Sequence, residues 1–153
     1  MPLQNRVLAV GDLAPDFLLR DAIRGGDYTL ADLTARGPLV LKFQRGTWCP
    51  SCTTEFAQVR QMQERCAGAG TRFAFVLCQK PYAAVSYFVK DPERDRYGFP
   101  VLIDSARSTA KAYGVYVPLN FESIRIARPA TFINGPDRKI HWMYLGRYQR
   151  DWP

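Results

Sequence analysis

The sequence predicts an α/β protein with a central mixed β-sheet, helices on both faces and a C-terminal β-hairpin. Short apolar runs alternate along the chain with segments of helical periodicity. A turn-rich linker, Asn134-Gly135-Pro136-Asp137, separates the last two apolar runs, which is typical of an antiparallel hairpin. The chain has 153 residues, the usual length of one domain. We therefore expect one domain over residues 1–153.

The predicted strands are short and mostly apolar. After an extended lead, residues 28–30 are predicted as a short strand and residues 32–37 as a turn. Three runs that suit strands covered on both faces follow, and a hairpin pair closes the chain. These five strands are predicted at residues 38–43, 72–78, 99–103, 130–134 and 139–145.

Three helices are predicted between these strands. In residues 52–66 the apolar side chains Phe56, Val59 and Met62 recur at helical spacing. Glu55 falls in the first turn, where an acidic group is favoured. A second helix is predicted over residues 81–90, opened by its proline, and a third over residues 105–113, closed by a glycine.

Composition excludes several classes of partner. The net charge is +7, but the basic residues are dispersed and form no basic run, so we expect acidic partners or small anions and no nucleic acid. The first ten residues hold too short an apolar stretch for a signal sequence, and no window approaches the roughly 18 apolar residues of a membrane span. We expect a cytoplasmic protein with no membrane association.

The dithiol Cys49-Pro50-Ser51-Cys52 stands between the predicted strand and the helix that follows it. A thiolate is the attacking species, and a helix N-terminus lowers a cysteine pKa from its usual value of about 8.5. Two intervening residues allow both sulfurs to join in a disulfide. A zinc site would need a second ligand pair, but Cys66 and Cys78 are isolated and His141 is the only histidine. We expect redox chemistry with no metal and no cofactor, and buried thiols at Cys66 and Cys78.

Two motifs resemble the thioredoxin superfamily. The first is Trp48-Cys49-Pro50-Ser51-Cys52 after an apolar strand, and the second is Arg128-Pro129-Ala130-Thr131-Phe132-Ile133 before the hairpin. The resemblance implies a thioredoxin-like fold, and it implies a cis peptide bond before Pro129 that would place a backbone edge against the sulfurs.

Three further segments are similar to one branch of that superfamily, the peroxiredoxin-like proteins of the alkyl hydroperoxide reductase/thiol-specific antioxidant (AhpC/TSA) group. They are Gly11-Asp12-Leu13-Ala14-Pro15-Asp16-Phe17, Phe99-Pro100-Val101-Leu102-Ile103-Asp104 and Ala110-Lys111-Ala112-Tyr113-Gly114-Val115. The peroxiredoxin motif Pro-x-x-x-Thr-x-x-Cys is altered, because Arg45 replaces its proline and Cys49 its threonine. In that register Cys52 would be the peroxidatic cysteine. The place of the family's peroxide-orienting arginine holds Pro129, with Arg128 one residue earlier.

Five residues are predicted to support the dithiol. Arg45 and Arg128 would stabilise a thiolate or bind a peroxide oxygen, although solvated surface arginines are an equal alternative. Trp48 would cover the dithiol as an apolar lid or serve packing alone. Thr47 would form local hydrogen bonds. Proton transfer would fall to Glu55, to water or to no specific group.

Three functions fit this sequence. The leading hypothesis is a thiol-dependent peroxide reductase, in which a sulfenic acid is resolved as a Cys49–Cys52 disulfide and then reduced by a thioredoxin or glutathione system. The second is a dithiol–disulfide oxidoreductase for protein substrates with Cys49 as nucleophile, which the altered motif favours. The third is a non-enzymatic redox sensor or binding module. A homodimer is predicted from aromatic residues near the C-terminus, with core packing or ordinary surface exposure as equal alternatives: Trp142, Tyr144, Tyr148 and Trp152.

Overall fold

The computed structural model of the protein describes residues 8–119 and 124–146. The strands of these ranges are β1 (Leu18–Asp21), β2 (Asp27–Thr29), β3 (Leu39–Gln44), β4 (Arg72–Leu77), β5 (Val101–Ile103), β6 (Tyr116–Leu119), β7 (Ile124–Ala127), β8 (Ala130–Asn134) and β9 (Ile140–Leu145). The α-helices are α1 (Leu30–Thr34), α2 (Pro50–Cys66), α3 (Pro81–Val89) and α4 (Ser108–Ala112). Single 3₁₀ turns lie at Ala67–Ala69 and Arg94–Arg96.

Seven of these strands form one mixed sheet. Its order is β2-β1-β5-β4-β3-β8-β9, and β6 pairs with β7 in a separate two-stranded sheet. The strands β3, β4 and β5 run parallel, whereas β1 and β8 are antiparallel to their neighbours. The prediction of a mixed sheet with a C-terminal hairpin is confirmed. β3 is paired on both sides, with β4 and with β8. The loop that follows its carboxyl end therefore starts from a fixed position within the sheet.

The strands bury one set of side chains on each face. In β3, Leu39, Leu41 and Phe43 belong to one buried cluster, and Val40 packs against the other. This is the two-residue alternation of a strand. The first cluster includes the apolar side chains of α1 and α4, and the second those of α2 and α3. Helices therefore cover both faces, as predicted.

Aromatic rings connect α2 and α3 to the sheet. Phe56 of α2 contacts Phe75 of β4 with ring centroids 4.7 Å apart and Phe88 of α3 at 5.8 Å. Phe99 contacts Phe75, and Tyr97 contacts both Phe99 and Phe88. The contacts close into a cycle of five rings, which we call the aromatic cycle. Such tilted and edge-to-face pairs add stability beyond the burial of apolar area.

Local signals account for several element boundaries. Gly114 has φ +74° and closes α4, and the N–H of Val115 donates to the Ala110 carbonyl at 2.9 Å. The segment predicted as a turn after β2 begins as the short helix α1 instead. Thr29 and Asp32 form a reciprocal capping box there, which the sequence analysis did not recognise. The strands β1, β6 and β7 were also not predicted.

Residues 8–119 and 124–146 contain no helix with the length and apolar character that crossing a membrane requires.

Candidate active site

Cys49 occupies the N-cap position of α2, because the helix begins at Pro50. The N–H of Thr53 donates to the Cys49 carbonyl at 3.1 Å, which is the first hydrogen bond of the helix. The N–H of Cys52 donates to the Cys49 sulfur at 3.4 Å. A serine or aspartate at an N-cap accepts the same bond through its side-chain oxygen. The Cys49 sulfur therefore takes the place of a capping oxygen at the positive end of the helix.

The two thiols ionise very differently. Burial alone would raise the pKa of Cys49, but hydrogen bonds from Cys52 and Arg45 and the positive charge of Arg45 outweigh it, so the Cys49 pKa is lowered. The pKa of Cys52 is raised to about 12, mainly by burial and further by its hydrogen bond to Cys49 and the nearby Cys49 charge. The geometry therefore favours the thiolate at Cys49 and the protonated thiol at Cys52, within the same helical turn.

Arg45 lies between Cys49 and Trp48. Its Nη2 donates to the Cys49 sulfur at 3.5 Å, and its guanidinium carbon lies 4.8 Å from the centroid of the Trp48 ring. Arg45 is buried, whereas Trp48 is 50% exposed. Neither Cys49 nor Cys52 has any exposed surface. A substrate must displace part of this cover to reach a sulfur.

The loop before the dithiol is fixed by a side chain from the segment that follows β4. The N–H of Thr47 donates to Oε1 of Gln79 at 2.8 Å, and Nε2 of Gln79 donates to Oγ1 of Thr47 at 2.9 Å. A Cβ at Gly46 would lie 2.5 Å from Nε1 of Trp48 and 3.1 Å from Cδ of Gln79. Glycine at this position therefore allows the indole to fold back onto the loop. Gln79 was not predicted as a site residue.

A buried polar group lies under the first turns of α2. Glu55 forms an ion pair with Lys42 of β3, with 2.6 Å between Nζ and Oε1, and accepts a hydrogen bond from the Gln44 amide. Nζ of Lys42 also donates to Oγ1 of Thr131 at 2.9 Å. Glu55 is thus buried and paired, and its part in proton transfer stays a prediction. Lys42, Gln44 and Thr131 were missed because polar residues in short strands usually indicate exposed positions.

The predicted cis-proline is not observed. No peptide bond within the described ranges is cis, so the Arg128–Pro129 bond is trans. The main-chain polar groups before and after this peptide bond are hydrogen-bonded: the Arg128 N–H donates to the Val115 carbonyl, and the Pro129 carbonyl accepts from the Gly146 N–H. The trans form is also intrinsically favoured by about 0.5–1 kcal/mol.

Arg128 is directed toward the end of the hairpin. Its Nε donates to the Gly146 carbonyl at 2.6 Å. Arg45, in contrast, contacts the dithiol directly. Of the two arginines that the sequence analysis proposed, the structure brings one into hydrogen-bond contact with Cys49, and it gives the other a structural hydrogen bond at the start of β8.

The other two cysteines lie apart from the dithiol. Cys78 is buried, and burial together with the charge of Asp104 raises its pKa to about 12. Cys66 ends α2 and is partly buried. Among the side chains that the structure describes, no group of three or more histidine, cysteine or acidic residues is arranged to hold a metal ion.

The profile of the AhpC/TSA family matches residues 10–143. The chain belongs to the AhpC/TSA family. It is 32% identical over 140 residues to the thiol-disulfide oxidoreductase ResA of Geobacillus thermodenitrificans, covering 90% of this chain and 71% of that protein. It is 27% identical over 146 residues to ResA of Bacillus anthracis, covering 94% and 74% respectively.

Solved structures of AhpC/TSA and related proteins share the fold. The peroxidoxin BcpB of Mycobacterium tuberculosis superposes with a TM-score of 0.77 at 24% identity, covering 93% of this chain and 88% of that one. A putative thiol:disulfide interchange protein DsbE from Chlorobium tepidum superposes with a TM-score of 0.70 at 26% identity, covering 91% and 86%.

These relatives establish the class of the protein. Proteins named as thiol-disulfide oxidoreductases and as peroxiredoxins are enzymes of cysteine redox chemistry. The predicted AhpC/TSA resemblance, the thioredoxin-like fold and the assignment as a thiol-based oxidoreductase are therefore confirmed. Redox partners are expected from the same relatives.

Proposed function

We propose that this AhpC/TSA protein is a thiol–disulfide oxidoreductase in which Cys49 attacks the substrate disulfide and Cys52 resolves the mixed disulfide. The observation that carries the proposal is the difference between the two thiols. The pKa of Cys49 is lowered and that of Cys52 is raised to about 12. A peroxidase in the family register would need Cys52 as the thiolate. The site instead favours the second function that the sequence predicted.

The reaction balances over two exchange steps. The Cys49 thiolate attacks one sulfur of the substrate disulfide, a Cys49–substrate bond forms, and the other substrate sulfur leaves and takes up a proton. Cys52 then loses its proton and attacks the Cys49 sulfur, which releases the second substrate thiol. The Cys49–Cys52 disulfide remains. The substrate has gained two electrons and two protons.

The geometry accounts for the order of these steps. Burial is the largest cause of the raised Cys52 pKa, and a negative Cys49 raises it further by its hydrogen bond and charge. Both effects of Cys49 end when its sulfur is joined to a substrate sulfur, because the Cys49 sulfur then carries no charge. The pKa of Cys52 then falls and its proton is released more easily, so Cys52 becomes an attacking group only after the first step.

The named relatives support a disulfide substrate. ResA proteins carry the name thiol-disulfide oxidoreductase, and the DsbE-like structure is named for thiol:disulfide interchange. Re-reduction of the Cys49–Cys52 disulfide would require a thioredoxin or a glutathione-type thiol as electron donor. The homodimer and the cytoplasmic location stay predictions.

Trapping the mixed disulfide tests the proposal. The reduced variants Cys49→Ser and Cys52→Ser are mixed with a protein disulfide, quenched with acid and analysed by mass spectrometry. We expect Cys52→Ser to retain a covalent adduct at Cys49 and Cys49→Ser to form none. The matched control Cys66→Ser should turn over like the unmodified protein. An adduct that forms at Cys52 and not at Cys49 would overturn the assignment.

Peroxide reduction is the second candidate, because the AhpC/TSA profile covers most of the chain and Arg45 places a donor beside the Cys49 sulfur. Stopped-flow mixing of the reduced protein with hydrogen peroxide, followed by tryptophan fluorescence, compares the two activities. Oxidation far faster than that of a free thiol would favour the peroxidase. Very slow turnover with every substrate and reductant would favour the redox sensor.

A further inference from the structure

The outward side of helix α3 is apolar. The helix carries no charged residue, and Ala84 and Phe88 bury its inner side. Tyr82 is 83% exposed, Val85 40% and Val89 58%, at the spacing of one helix stripe. We call these three residues the α3 outer face. They line a shallow groove of about 350 Å³ with Pro81, Ser86 and Lys90. A surface helix usually presents polar side chains on this side.

The α3 outer face lies next to the dithiol. Gln79 is hydrogen-bonded to Thr47. A Cβ built on Gly46 would contact both the Gln79 side chain and the Trp48 indole, so these two side chains lie close together. Tyr82 follows Gln79 by three residues, a separation of at most about 11 Å along the chain. An interface of standard size covers about 800 Å² on each partner, a disc of about 16 Å radius. A footprint of this size can therefore include both the dithiol loop and the start of α3.

The charges around this surface select a partner. The exposed Lys80 and Lys90 stand at the two ends of α3, and the net charge of the chain is +7. Positive charge around an apolar surface favours a partner with an apolar centre and an acidic border. Small thiols such as glutathione would use none of this apolar area.

We propose that Trp48 and the α3 outer face form the docking surface for an acidic protein dithiol that re-reduces the Cys49–Cys52 disulfide. This inference rests on the proposed function and names its electron donor. A thiolate of the partner attacks Cys49, a mixed disulfide forms, and Cys52 leaves and takes up a proton. The partner's second thiol, losing its proton, then attacks the partner sulfur. Cys49 is released as a thiolate and the partner becomes a disulfide.

Reduction by two donors separates docking from chemistry. The oxidised protein is mixed with a purified acidic thioredoxin or with dithiothreitol, and tryptophan fluorescence records the rate. We expect the double variant Tyr82→Ser/Val89→Ser to be reduced at least tenfold more slowly by the thioredoxin and at an unchanged rate by dithiothreitol. The control Leu18→Ser changes a side chain that is 69% exposed on β1, and it should leave both rates unchanged.

The lysines provide a second readout. The double variant Lys80→Gln/Lys90→Gln should slow the thioredoxin reaction at low salt and weaken its dependence on ionic strength. Circular dichroism and thermal melts establish that each variant folds.

Three results would overturn the docking surface: an unchanged thioredoxin rate in Tyr82→Ser/Val89→Ser, equal slowing by dithiothreitol, or an unmodified protein that thioredoxin reduces no faster than dithiothreitol does. Sedimentation equilibrium adds a fourth outcome. If the unmodified protein is a dimer that the same substitutions dissociate, with the thioredoxin rate unchanged, the face binds a second copy of the chain instead. A disulfide that dithiothreitol does not reduce would count against the proposed function and not against docking.

Discussion

The main-chain N–H of Cys52 donates to the sulfur of Cys49 over 3.4 Å. One hydrogen bond thus connects the two residues of the dithiol and also caps α2. Because a thiolate accepts such a bond better than a thiol does, the ionisation of Cys49 and the stability of the helix are linked.

Replacing Cys49 tests its role as a helix cap. Cys49→Ala removes the acceptor, whereas Cys49→Ser keeps one, so we expect the alanine variant to be less stable than the serine variant by about 0.5–2 kcal/mol. Urea unfolding with a reductant present measures both free energies. Equal stabilities would show that the Cys52 N–H gains nothing from its partner.

The stability difference between the reduced protein and Cys49→Ala should depend on pH. The pKa of Cys49 is lower in the folded state than in the unfolded chain, where it is about 8.5. The stabilisation from the thiolate is therefore complete above about pH 8.5 and is lost as the pH falls through the folded pKa. Urea unfolding from pH 8.5 downward should show the difference shrinking. The same comparison with Cys52→Ala lacks this trend, because burial raises the pKa of Cys52.

Arg45→Met should make Cys49 a weaker acid. The variant removes a hydrogen bond to the sulfur and a nearby positive charge, both of which lower the Cys49 pKa. We expect the pH midpoint of iodoacetamide alkylation at Cys49 to rise and the rate at pH 7 to fall several-fold. Arg128→Met is the matched control, since Arg128 donates to the Gly146 carbonyl. An equal shift in both variants would contradict a specific role for Arg45.

Moving Trp48 should uncover the dithiol. A Cβ in Gly46→Ala would lie 2.5 Å from Nε1 of Trp48, so the indole must shift. At pH 9 we expect several-fold faster alkylation of Cys49 in this variant and in Trp48→Ala, because access and not ionisation then limits the rate. Peptide mass spectrometry separates Cys49 from Cys66. Unchanged rates in both variants would mean that the cover lies elsewhere.

Lys42→Met should destabilise the protein strongly. It leaves the buried carboxylate of Glu55 without its cation, and breaking one partner of a buried ion pair costs about 3–5 kcal/mol. The double variant Lys42→Met/Glu55→Gln should recover most of this loss. A double-mutant cycle by urea unfolding measures the coupling, and additive effects would argue that the two groups act independently.

The sequence predicted those parts of the fold whose signals are local. β3, α2 and the dithiol follow from an apolar run, helical spacing and a two-residue gap between cysteines, each readable within a few positions. β1 escaped prediction because its sequence, Leu18-Leu19-Arg20-Asp21, has no clear alternation. The proline in Tyr116-Val117-Pro118-Leu119 argues against a strand in the same way.

The contacts around the site depend on tertiary structure. Lys42 meets Thr131 across 89 positions of the chain, and Gln79 reaches Thr47 across 32. No periodicity in the sequence reveals such pairs. Arg45 was predicted with two alternatives; the structure places it buried beside Cys49, and its role there stays a prediction. The cis bond at Pro129 was inferred from family resemblance, and the structure has a trans bond there.

The contact of α2 with the aromatic cycle begins one turn after the dithiol. Phe56, four residues after Cys52, is the ring through which α2 joins the cycle. The turn that carries both sulfurs lies ahead of this anchor and is held by separate contacts, the cap at Cys49 and the ion pair between Glu55 and Lys42. Disulfide formation would rearrange one helical turn and leave the sheet undisturbed.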